Sequence, residues 1–229
     1  MRGDLAHGEV YARRAVALKR KLLGDDHPDV AISLGNLTTA LVETEQWDEA
    51  AAVNQTAISI VEKNDAQSMN MVFILFDRAE ILIHEGRLDE AAADLRRLRE
   101  VEISASVGHS ILHAETLIGE GELALARRAP AAAVAPLESA HEILLRNGER
   151  GWMEDAILNS LLAAALARPG GDHARAAILA DRACAAFVRS GYIMRERHLL
   201  ESFNVSSFDP KDAATGCANL DRKLRAIGL

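Results

Sequence analysis

The sequence predicts an all-α chain, a solenoid of stacked helical hairpins. Four observations predict it. The 229 residues are rich in Ala, Leu, Glu and Arg, residue types that favour helix. Four of the five prolines stand where helices should begin (Pro28, Pro130, Pro210) or stop (Pro169). Runs of alternating polarity between hairpin turns, the mark of strands, are missing from the sequence. And the chain repeats itself. "EQWDEAAAV", "GRLDEAAAD", "RAPAAAVAP" and "GDHARAAIL" align on Ala50, Ala91, Ala133 and Ala176, at spacings of 41, 42 and 43. A helical stretch of about four turns flanks each alanine on both sides.

The elements follow in order. One period before Ala50 lies residue 8, so "GEVYARRAVALKRKLLG" reads as the second helix of a half unit over 5–23 whose first helix is missing. The chain is therefore expected to be a piece of a longer protein. "GDDHPD" comes next. Gly24 should end one helix as a left-handed cap, and Pro28 and Asp29 should open another, with Asp29 at the positive end of its dipole. Asp25, Asp26 and His27 then fill an exposed bend rather than hold a metal, because neighbours on one loop do not converge from a rigid frame. Full units are expected at about 28–63, 68–103, 108–147 and 152–190, with a trailing helix at 191–203 completing an array over 1–203. A linker and a C-terminal helix occupy 204–229. In that helix Ala213, Cys217, Leu220, Leu224 and Ile227 form one apolar stripe, read as a cap on the open end of the array.

Small residues recur in register. Twelve places before each marker alanine stand Thr38, Ala79, Gly121 and Ala164, and seven after it Ala57, Leu98, Ala140 and Ala183. Small side chains let helices approach closely; Leu98 breaks the pattern, and a looser joint is expected there. The segment "LLGDDHPDVAISLGNLTTALVETEQWDEAAAVNQTAISIVEK" resembles the long repeat of the tetratricopeptide repeat family, kinesin light chain type. It carries the connector Leu23–Pro28, the pair Asn36-Leu37, the turn Trp47-Asp48-Glu49-Ala50 and the close Ala57-Ile58. Residues 175–203 resemble the closing segment of arrays attached to bacterial serine/threonine protein kinases. The resemblance implies a right-handed solenoid and a protein-interaction module, part of a signalling protein.

It also implies which residues line a concave wall. These are Ile32, Gly35, Asn36, Thr39, Val42 and Glu43, then Phe73, Phe76, Asp77, Glu80, Ile83 and His84. Glu115 and Glu122 follow in the fourth unit. The acids would disfavour a clamp for a peptide's C-terminal carboxylate, which needs cations. Of that clamp only Asn36 is present. With Phe73 and Phe76 as apolar anchors, the expected ligand is a peptide or helical segment carrying Arg or Lys beside apolar side chains. Ligand-binding residues are thus expected at Asn36, Thr39, Glu43, Phe73, Phe76, Asp77, Glu80, His84, Glu115 and Glu122. Arg78 and Glu120 hold equivalent places with opposite charge and are expected to pair across the stack. Self-association as a homodimer through terminal helices is the alternative function.

Other classes fit poorly. A formal charge of −8 and 4% aromatic content argue against nucleic acid as a partner. No apolar run approaches the roughly 18 residues of a membrane span, Met1–His7 has no apolar core of a secretion signal, and Cys184 and Cys217 make no disulfide framework. A cytoplasmic location is expected, with no membrane partner. His109 and His113 lie four apart on a predicted helix, but Ser110 stands where a metalloprotease needs its glutamate. Neither nucleophile elbow, phosphate loop nor dinucleotide fingerprint occurs. The expectation is no enzyme, no metal and no cofactor.

Overall fold

A computed structural model of the chain describes residues 2–64, 69–104, 111–147 and 152–190. The trailing helix and the C-terminal stripe, with His109 and Cys217, lie outside the described residues. Two compact units form, Met1–Gly108 and His109–Leu229. The first holds α1 (Arg2–Leu23), α2 (Pro28–Glu43), α3 (Trp47–Asn64), α4 (Met69–His84) and α5 (Leu88–Ser104). The second holds α6 (Ile111–Ala126), α7 (Pro130–Asn147), α8 (Trp152–Leu166) and α9 (His173–Ser190). Among the described residues there is no strand, so the fold is the all-α array of helical hairpins.

The connectors explain why the chain turns where it does. Gly24 adopts φ +88° and its N–H closes on the Arg20 carbonyl at 3.0 Å. His27 is the N-cap of α2, its Nδ1 accepting the Asp29 N–H at 3.1 Å. Asp26 reaches Lys63 Nζ at 2.9 Å, and Asp25 lies 3.5 Å from Arg20 Nε. Each side chain of "DDH" therefore pins a helix end. Within hairpins a second turn recurs. Glu45, Gly86 and Arg128 take φ of +58°, +74° and +58°. Around them Gln46, Arg87 and Ala129 donate to the Leu41, Leu82 and Ala124 carbonyls at 2.9 Å. These are the six-to-one bonds that close a helix with a left-handed residue. Only the middle turn uses the glycine that such a backbone favours.

Packing follows the repeat. In the first unit each helix lies on the next, and α2 also meets α4; in the second unit α6 likewise meets α8. First helices thus share one face and second helices the other. The marker residues Ala50, Ala91 and Ala133 are fully buried and Ala176 nearly so. Thr38, Ala79, Ala57, Ala140 and Ala183 are buried with them, as is the exception, Leu98. At Gly121 the approach is closest, for a Cβ there would stand 2.4 Å from Leu137 Cδ2. The core of the second unit gathers Leu117, Leu137, Leu158, Leu161 and Leu162 around this contact.

On the outer side, ion pairs step from one second helix to the next. Arg13 grips Glu49 with both guanidinium nitrogens at 2.6 and 2.7 Å, Arg97 reaches Glu62 at 3.2 Å, and Arg175 grips Glu138. The partners lie 36, 35 and 37 residues apart. The Arg13 guanidinium, by hydrogen bonding, holds the Glu49 carboxyl below its ordinary range. Such pairs are partly exposed, so they orient helices more than they hold them.

Candidate functional site

The shared face of α2 and α4 is the candidate site. Pro28 and Met69 begin these helices 41 residues apart, so Ile32 lies level with Phe73, Asn36 with Asp77, Thr39 with Glu80 and Glu43 with His84. Gly35 lets the helices meet: a Cβ there would sit 3.6 Å from Ile74 Cγ1, in ordinary contact. One face of α4 is set by "NMVFILF", in which Met71, Val72, Ile74 and Leu75 go fully inward. The heptad phase that buries them turns Phe73 out, 55% exposed, beside Ile32 at 37%. Phe76 is half-buried.

The polar members divide by depth. Asn36 and Thr39 are exposed, while Glu43 and Glu80 are half-buried. Asp77 is only 5% exposed. Its carboxylate accepts the Thr39 hydroxyl at 3.1 Å, a proton shared with the Gly35 carbonyl at 3.2 Å. Asp77 is thus a clasp between α2 and α4, with its charge beneath the surface rather than on it. His84, at the C-terminal end of α4, stacks on Trp47 at the start of α3, ring centroids 4.0 Å apart and planes inclined by 12°. Nothing in the sequence spacing pointed to Trp47 as that partner. Glu115 and Glu122 are both half-buried on α6, seven apart and hence on one side of that helix, in the second unit.

Beneath the face lie two further polar contacts that pattern reading missed. Asn54 of α3 donates to the Ile74 carbonyl of α4 at 2.9 Å, tying the backbone of one helix to a side chain of the other. Arg78 has Asp94 of its own hairpin at 2.9 Å. The two are close enough for an ion pair, although the Asp94 Oδ2 is not aligned as a hydrogen-bond acceptor. Burial pushes the Asp94 carboxyl up to about 6 against the opposing pull of Arg78. Among the described residues no group of His, Cys, Asp and Glu is arranged to hold a metal, and no helix is long and apolar enough to cross a membrane. Chemically the face presents two apolar side chains, an amide, a hydroxyl and carboxylates.

Residues 1–63 match the tetratricopeptide repeat family. Among solved structures, BtubC (BKLC) from P. vanneervenii is similar in fold, with a TM-score of 0.61 at 18% identity, over 97% of this chain and 91% of that one. No curated protein matches the sequence.

Proposed function

On the premise that this is a tetratricopeptide-type array, supported by the match at residues 1–63 and by the fold, we propose that the α2–α4 face binds a peptide or helical segment carrying basic and apolar side chains. Tetratricopeptide repeats generally mediate protein–protein interaction. The single observation that carries the finer reading is Phe73, a large aromatic left 55% exposed in the middle of a structured face. Exposed aromatics surrounded by polar groups are the common anchors of interfaces. Glu43 and Glu80 stand on the same face, and they select a ligand whose apolar residue has Arg or Lys beside it. Asn36 is placed to hold an extended backbone. In the second unit Glu115 and Glu122 give α6 acids of its own, and the role assigned to the module is adaptor work within a cytoplasmic signalling protein.

The test uses peptides with one aromatic or aliphatic anchor and flanking arginines, against controls with flanking glutamates. Phe73→Ala should weaken the arginine peptides about tenfold or more, the usual scale for an interface anchor. Glu80→Lys should reverse the charge preference. Asp77 is unsuitable for such a reversal, since a lysine there would break the clasp and the fold with it. Equal binding of both peptide sets, with circular dichroism unchanged, would remove the proposal.

A further inference from the structure

Helix α1 exposes an apolar stripe on its outer side. Tyr11 is 64% exposed, Leu18 57% and Leu22 69%, with Ala15 exposed between them. Spacings of four, three and four place these side chains along one narrow line of the helix. The repeat shows how unusual this is. In the 41-residue register that relates Pro28 to Met69, the matching positions of α3 are Ala52, Thr56, Ser59 and Lys63. In α5 they are Ala93, Arg97, Glu100 and Ser104. The corresponding lines of α3 and α5 are small or polar, although α5 exposes Ile103 elsewhere.

The stripe is not what attaches α1 to its neighbours. Val16, 6% exposed, and Lys19, which donates to the Asp29 carbonyl at 3.2 Å, face α2. Arg13 grips Glu49, and Glu9 accepts from Arg13 and Gln46. The carboxylate of Glu9 is thereby spent on the inner side. Along the outer stripe stand Arg14 and Lys21, both at least partly exposed and with no ion pair among the described residues. Among the described side chains of α1, the surface is apolar with a cationic border.

We propose that this face of α1 docks an amphipathic helix of a partner protein, with apolar residues at the same four-three-four spacing and Asp or Glu along one flank. Charge selects this occupant. Pairing with the same face of a second copy would set Arg14 against Lys21 in an antiparallel arrangement and bring Arg14 toward the flank that carries Lys19 in a parallel one, with like charges opposed. An anionic membrane would suit the cations, but a chain of formal charge −8 is repelled from such a surface as a whole. An acid-flanked helix satisfies both the stripe and its border. This surface is separate from the α2–α4 face, and Phe73→Ala should leave it untouched.

Two synthetic 18-residue helical peptides test it, sharing one leucine stripe and differing in Glu or Lys at the flanking positions, with binding to the full chain read by fluorescence anisotropy. The Glu-flanked peptide should bind at least tenfold more tightly, and Arg14→Glu with Lys21→Glu should invert the preference. Leu18→Ser with Leu22→Ser should abolish binding of both peptides while the unfolding midpoint shifts little, since more than half of each side chain is exposed. Equal affinity of the two peptides, or no binding of either, overturns the proposal. So does light scattering that shows a concentration-dependent dimer lost in Leu18→Ser, which gives the face to a second copy. Co-sedimentation with phosphatidylserine vesicles that is lost in the same variant gives it to a membrane and overturns the proposal likewise.

Discussion

Replacing Gly121 by alanine sets two effects against each other, and the structure decides the sign. In a helix interior the change should stabilise by about 1 kcal/mol, from the lower backbone entropy of alanine. Here the new Cβ would lie 2.4 Å from Leu137 Cδ2 and 2.5 Å from its Cγ. Restoring ordinary contact requires a shift of about 1 Å in a side chain with no exposed surface. Because the branch carbon itself is struck, rotating the tip does not relieve the clash. Overpacking of this kind costs about 1–3 kcal/mol, and the fixed surroundings place this case at the upper end. A net loss of about 1–2 kcal/mol is expected in urea unfolding followed by circular dichroism. Leu137→Ala alone should cost about 2–5 kcal/mol. Combined with Gly121→Ala it should cost less than the sum by about 1–2 kcal/mol, since the added methyl then enters vacated space. A stabilising Gly121→Ala, or strict additivity with Leu137→Ala, would refute the close-approach reasoning.

Three other outcomes are expected. Glu45→Gly should stabilise the first unit by about 0.5–1 kcal/mol in denaturant melts, because a left-handed φ of +58° strains any residue with a Cβ, and Gly86→Ala should do the reverse. Thr39→Val should cost about 0.5–1.5 kcal/mol by the same assay, through loss of the hydroxyl that bonds the buried Asp77. Asp94 gives a pH effect: its folded value is raised from 3.8 to about 6. The folded state thus holds the proton more tightly, and this contribution is complete below 3.8 and lost as pH rises through 6. Asp94→Asn should accordingly gain stability relative to the parent between pH 4 and pH 7.5, by an amount on the order of 1–3 kcal/mol, read from thermal midpoints across pH; a flat difference would contradict the shift.

The hairpins were legible because their signals are local. A glycine at position 24, a proline at 28 and an alanine every 41 to 43 residues act on the backbone where they stand, and "DDH" could be recognised as punctuation from those neighbours alone. The face of α2 and α4 was legible as a set of positions but not as a set of environments. Spacing assigns Asp77 and Glu80 to the same wall. Only the rotation of α4 against α2 sends one carboxylate into the seam and leaves the other half-buried. That rotation depends on how Gly35 meets Ile74 and how Met71, Val72 and Leu75 fill the interior, which no single helix encodes. Long-range partners were hidden for the same reason. The pairs Arg13–Glu49, Arg97–Glu62 and Arg175–Glu138 recur at separations of 36, 35 and 37 residues, off the register of 41 to 43 that the marker alanines set.

The flat contact between Trp47 and His84 has a practical corollary. An indole lying 4.0 Å from an imidazole emits in a way that depends on that ring staying in place. Trp47 opens α3 and His84 closes α4, so the colour and lifetime of its light report whether these two rods remain seated together. The molecule carries a built-in optical gauge at the edge of the proposed docking surface, and the proposed loading can be looked for by ultraviolet excitation without any attached dye.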